Sequence, residues 1–184
     1  MKKNYIFKLF IILVLFLSLF IISGCKEPDK APEYNVEYFN SKLDASGFVG
    51  YSYTKTIKSE DILLLEEKAN LSIVDSKYVL SKEIKRLDDI ASDHPLVIEN
   101  TREEVEVLED PIQLTIEESD FDSFNVTEKL LTGKIKETSK VLGYLVNDLD
   151  LTIELSNEKV AKISISYDDI NTGFKVDMVI NYLY

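Results

Sequence analysis

The chain has 184 residues, 33 of them acidic against 21 lysines and arginines, which gives a net charge of −12 at pH 7. A surface so acidic is repelled by phosphate backbones, which argues against nucleic acid as a partner. One cysteine and one histidine leave nothing for a disulfide, a redox pair, a zinc cluster or a nucleophilic triad, so the fold must hold by packing alone.

At the N-terminus Lys2, Lys3 and Lys8 precede an apolar run from Leu9 to Ile22, which Ser18 alone interrupts and which ends in Ile22-Ser23-Gly24-Cys25. Its 14 residues fall short of the roughly 17 to 25 that a spanning helix needs. A basic start, a short apolar stretch and small residues before a cysteine make a secretory signal with a lipidation site. The segment resembles a bacterial lipoprotein signal peptide, with Ile22 where that family usually has leucine. In the family the cysteine thiol carries a diacylglycerol. The resemblance therefore assigns residues 1–24 to the signal and Cys25 to a lipid anchor that holds the chain on the extracytoplasmic side of the cell membrane. The other reading of the same residues is an uncleaved anchor that recruits residues from Tyr5 onward.

Cleavage before Cys25 leaves 160 residues, enough for a single domain that buries roughly 70 per cent of its unfolded surface. Three basic residues and no acidic ones precede Cys25, so the processed chain sets 18 basic against 33 acidic residues, or −15. Such a surface is expected to stand off anionic headgroups. Residues 25–33 read as the lipidated cysteine and a tether. Lys26 to Pro32 holds two prolines and four charges, and an extended, solvated segment of this kind spans about 20 Å at roughly 3 Å per residue.

The remaining residues, 34–184, read as one α+β domain. Val36, Phe39 and Leu43 recur at helical spacing and predict a short helix from about 34 to 45, with Ser46-Gly47 as its stop. From Phe48 the period is two. Val49, Tyr51, Tyr53 and Ile57 share one side of a strand, and Leu63, Leu65, Ala69, Leu71 and Ile73 share one side of the next, with a turn at Lys58 to Asp61. Asp75-Ser76-Lys77 makes a second turn into Tyr78 to Arg86, where the spacing fits either strand or helix and strand is favoured. Between 88 and 124 the pattern is weak. Val105 and Val107 suggest one strand, and Ile112, Leu114 and Ile116 another, separated by Glu109-Asp110-Pro111.

Asn125 and Glu128 have the spacing of a capping box, and Leu130, Leu131, Ile135, Val141, Leu142 and Leu145 follow at mostly helical spacing. They predict the longest helix of the domain, weakened at Gly133 and Gly143. Three alternating runs close the chain: Leu149 to Leu155, Ala161 to Tyr167, and Phe174 to Tyr184. The connections at Ser156 to Lys159 and Asp169 to Gly173 are short enough to force neighbouring strands to pair antiparallel.

The expected fold is thus a curved antiparallel sheet of meanders packed against one long and one short helix. The alternating run Leu149 to Tyr184 resembles the half-barrel of bacterial lipoprotein carriers of the LolA and LppX type. That resemblance implies an acyl chain held between sheet and helices, and it assigns no ligand residue.

Catalytic constellations do not emerge. His94 sits in the polar Ser92-Asp93-His94-Pro95 and reads as loop. Glu66-Glu67, Glu103-Glu104, Glu117-Glu118 and Asp168-Asp169 are adjacent carboxylates, and neighbours on a strand point to opposite faces. Asp120-Phe121-Asp122 lacks the further ligands and the glycine of a calcium loop. No cofactor or metal is expected. The expected function is a non-enzymatic, surface-anchored lipoprotein that binds an apolar or amphipathic ligand under its sheet. The alternative is a cell-envelope interaction or structural module without a small-molecule ligand.

Overall fold

Alternating apolar side chains become sheet along most of the chain in this computed structural model, which describes residues 34–43, 47–87, 97–106 and 109–184. The helix α1 (Val36–Leu43) is followed by β1 (Gly50–Ser59), β2 (Ile62–Val74), β3 (Lys77–Arg86), β4 (Val97–Val105), β5 (Phe121–Val126) and β6 (Leu130–Ile135). Then come α2 (Thr138–Leu142), β7 (Asn147–Ser156), β8 (Lys159–Asp168) and β9 (Lys175–Leu183). The strands form one open antiparallel sheet in the order β4-β3-β2-β1-β9-β8-β7-β6-β5. The N-terminal and C-terminal runs of strands meet at its centre, where Tyr51 lies opposite Tyr182 and Tyr53 opposite Ile180.

Turn chemistry sets the hairpins. Asp75 and Ser76 link β2 to β3 with both φ angles positive, and Asn157 and Glu158 do the same between β7 and β8, the handedness that matches the twist of the flanking strands. Between β8 and β9 the Asp169 carboxylate accepts the N–H groups of Asn171 and Thr172 at 3.0 and 2.8 Å. Those bonds hold its pKa below the usual carboxylate range, with the Thr172 backbone N–H as the largest cause.

One face of the sheet is core. Leu149, Leu151 and Ile153 of β7, Ile163 and Ile165 of β8, and Val176 and Ile180 of β9 are buried there. Val36 and Phe39 of α1, Val141 of α2 and the pair Leu114 and Ile116 are buried in the same cluster. The other face is polar, with the Ser166 hydroxyl donating to Asp177 at 2.8 Å and Lys162 bonded to Glu154 at 2.7 Å.

The short first helix, the first three strands and the closing meander agree with the sequence reading, and 77–86 is strand. Three expectations are corrected. The long helix over 125–145 is instead the end of β5, then β6 and the five-residue α2. Leu131 and Ile135 are four apart, a spacing that suits a strand face as well as a helix face, and pairing with β7, Leu131 opposite Ile153 and Ile135 opposite Leu149, decides for the strand. Thr127 closes the turn before β6, giving its N–H to Leu130 O at 2.8 Å and accepting the Leu130 N–H at 3.1 Å. The closing meander is therefore preceded by a hairpin and a short helix.

The strand expected at Ile112 to Ile116 is an extended segment outside the sheet. Its N–H groups find side chains instead of a ladder, Ile112 on Asp110 at 3.1 Å and Ile116 on Asn40 of α1 at 3.2 Å. The strand that holds Val105 lies earlier in the chain, at 97–105. Val107, His94, Cys25, the 1–24 signal and the 25–33 tether lie outside the described residues.

Candidate functional site

Register places Tyr182, Tyr51, Leu71 and Leu80 in one row across β9, β1, β2 and β3 on the core-facing side of the sheet. Towards β7 that side is covered by α1. Towards β4 a groove of ≈ 550 Å³ is lined by the buried Tyr51 and Leu71 and the half-buried Leu80 and Val105. Its rim is Lys82 with Glu106, Glu109, Asp110 and Pro111 of the segment that leaves β4. Pockets of this size, apolar at the floor with a few polar groups at the rim, suit small-molecule binding.

Asp110 pins the rim to the floor. Its Oδ1 accepts the Tyr182 hydroxyl at 2.7 Å and the Ile112 N–H at 3.1 Å, and Leu114 and Ile116 then plunge into the core. Burial raises the pKa of Tyr182, and its hydrogen bond to Asp110 raises it further. Burial also raises that of Tyr51, with Asp110 and Glu109 adding to the effect. Both phenols thus stay protonated through the physiological range. Tyr182 donates to Asp110, both rings shape the floor, and a phenol held in this state is a poor proton acceptor.

Most of the adjacent carboxylates are held apart. Glu66 bonds Lys68 at 3.0 Å and Lys85 at 3.4 Å on the polar face, while Glu67 lies opposite Ile84 on the other face. Glu104 pairs with Lys77 at 2.7 Å. Asp120 is buried and serves the local turn, its Oδ2 accepting the Glu117 N–H at 2.8 Å and its Oδ1 lying 3.5 Å from Lys140 Nζ, whereas Asp122 is exposed. Among the described residues no group of three histidine, cysteine or acidic side chains is placed to hold a metal ion. No described helix is long and apolar enough to cross a membrane.

The groove's floor residues sit on alternating faces that the sequence displays. Its rim does not show there, because Glu109, Asp110 and Pro111 read as a turn between two strands, one of which is the segment that crosses beside the groove. No family model, curated protein or solved structure matches this chain.

Proposed function

We propose that the chain is a non-enzymatic bacterial lipoprotein, anchored through Cys25 on the extracytoplasmic side of the cell membrane, whose domain holds an apolar or amphipathic ligand in the groove over β1, β2 and β3. The observation that supports this reading is the groove of ≈ 550 Å³ walled by the buried Tyr51 and Leu71 and the half-buried Leu80 and Val105, with Lys82, Glu106, Glu109 and Asp110 at its rim. In this reading the sheet is curved like the half-barrel it resembles, and the ligand lies along the inner face with its polar end among Glu106, Glu109 and Lys82. A second reading, an envelope interaction or structural module, draws support from the filled core under α1, where Phe39, Leu149 and Ile153 have no exposed surface.

Intact-mass and native mass spectrometry of the full chain, extracted in detergent from membranes of its native host, test both parts. The chain is expected to begin at Cys25 and carry acyl mass, and to retain a second, non-covalent mass that Leu80→Glu removes. A chain with another start or no lipid overturns the anchor. Lipidated protein with no retained ligand transfers the role to the interaction module.

A further inference from the structure

Two of the buried phenols in the core cluster have partners. The Tyr182 hydroxyl donates to Asp110 at 2.7 Å, and the Tyr167 hydroxyl pairs with that of Tyr144 at 3.0 Å. Tyr51 is 8 per cent exposed against 9 per cent for Tyr182, yet its hydroxyl has no hydrogen-bond partner among the described residues. Buried polar groups without partners are uncommon in native structures. No fully buried side-chain oxygen among the described residues lacks a partner, so the Tyr51 oxygen still meets open space, and the space that Tyr51 lines is the groove.

The groove around that hydroxyl is negative. Glu106, Glu109 and Asp110 line it with a single base, Lys82. On the neighbouring strands carboxylates are neutralised in place, Glu66 by Lys68 and Lys85, Glu83 by Lys85, Glu99 by Arg86 and Glu104 by Lys77. None of the three rim carboxylates has an ion-pair partner among the described residues. Asp110 uses Oδ1 for the Tyr182 hydroxyl and the Ile112 N–H, and its Oδ2 has no such bond. After burial, Asp110 and Glu109 are the largest causes that raise the pKa of Tyr51, so their field reaches the phenol. No three acidic side chains among the described residues are placed to hold a metal ion, so the negative charge is not matched to a compact metal ion.

We propose that the groove takes an organic cation, an ammonium group on an apolar body, whose N–H groups meet the Tyr51 hydroxyl oxygen and the rim carboxylates while the body lies against Leu71, Leu80 and Val105; the proposal rests on the groove being a binding site. A phenol accepts such a bond and keeps its own proton. A fatty-acid head would add a fourth negative charge to three, with one lysine to meet it, and like charges brought together in a partly desolvated site oppose binding. A neutral alcohol would use the apolar walls and leave the rim charges unanswered.

The full lipidated chain in phosphatidylcholine nanodiscs is titrated by calorimetry with phenylbutylamine, phenylbutanol and phenylbutanoate, which differ only in the head group, and heats from empty discs are subtracted. The amine is expected to bind about tenfold more tightly than the alcohol, the size of one hydrogen bond to a charged group, and the carboxylate more weakly than either. Tyr51→Phe should remove most of that advantage and keep the fold, since no described group uses the hydroxyl. Glu109→Gln should reduce it about threefold. Glu60→Gln, in the exposed turn between β1 and β2, should leave it unchanged. An advantage that survives Tyr51→Phe, or that Glu60→Gln lowers as much as Glu109→Gln does, means that the acidic surface gathers amines in general and overturns the proposal. Alcohol or carboxylate binding as tight as the amine also overturns it, and its loss on Leu80→Glu would leave the groove standing as an apolar site. No binding by any of the three removes the groove as a ligand site together with the proposal.

Discussion

Thr138 begins α2 with a fully committed hydroxyl. Its Oγ1 accepts the Val146 N–H at 3.1 Å and donates to Val146 O at 3.4 Å, and the side chain is buried. Thr138→Val keeps the shape and leaves both backbone groups without that partner, so it is expected to cost about 1 to 3 kcal/mol. Thr138→Ser should recover most of the loss. Denaturant midpoints decide between them, and a valine variant as stable as the parent would mean that water replaces the hydroxyl. Nothing in the sequence marks Thr138 out, because its partner lies eight residues away across a turn. Gly133 shows the same limit from another side. Read as a weak point in a helix, it is a place where a side chain has no room: a Cβ there would fall on the Phe121 ring and 2.9 Å from Ser123 O. Composition reveals that glycine is present, and only the pairing of Phe124 with Gly133 across β5 and β6 reveals what fills its space.

Among the elements, alternation is a strong guide wherever the run is long. Ile163 and Ser164 are neighbours on β8, one in the core and the other on the polar face opposite Val179. Ile163→Asn is expected to lower the denaturant midpoint far more than Ser164→Asn, since it loses the buried side chain and adds an amide without a partner, a polar penalty of roughly 1 to 3 kcal/mol. Equal losses would mean that the faces are assigned wrongly. The same signal fails in β5 and β6, which have six residues each and offer too few alternations to outweigh an i, i+4 coincidence. It also fails at Ile112 to Ile116, where Leu114 and Ile116 do alternate into the core while the backbone bonds go to Asp110 and Asn40. Side-chain period reports which way residues face, and a segment laid over a sheet obeys it as well as a strand inside one.

At the scale of the whole molecule the sheet stays open, and its outer strands are unlike the centre. β4 carries Glu99, Arg102, Glu103 and Glu104 along one edge, and β5 breaks register after Phe121 at the other, two devices that discourage further strands from adding. The groove lies towards the β4 side, while α1 packs on β8 and holds the segment through Ile116 by the Asn40 hydrogen bond, an arrangement set by contacts far apart in sequence. Beside Tyr51, three further tyrosines tie the middle of this sheet to pH. Burial raises the pKa of Tyr53, Tyr167 and Tyr182, helped at Tyr53 by Glu67, at Tyr167 by a hydrogen bond with Tyr144, and at Tyr182 by the bond to Asp110. The folded chain thus keeps protons that the unfolded chain gives up near pH 10. Their contribution to stability is complete below about pH 10 and is lost as pH rises through the folded values. Tyrosinate absorbance of the folded chain should therefore lag behind that of the unfolded chain as pH rises, with a late rise from these three in step with the collapse of circular dichroism. A single rise near pH 10 with the sheet intact would show that water reaches all three rings, and that the centre of the molecule is looser than its packing implies.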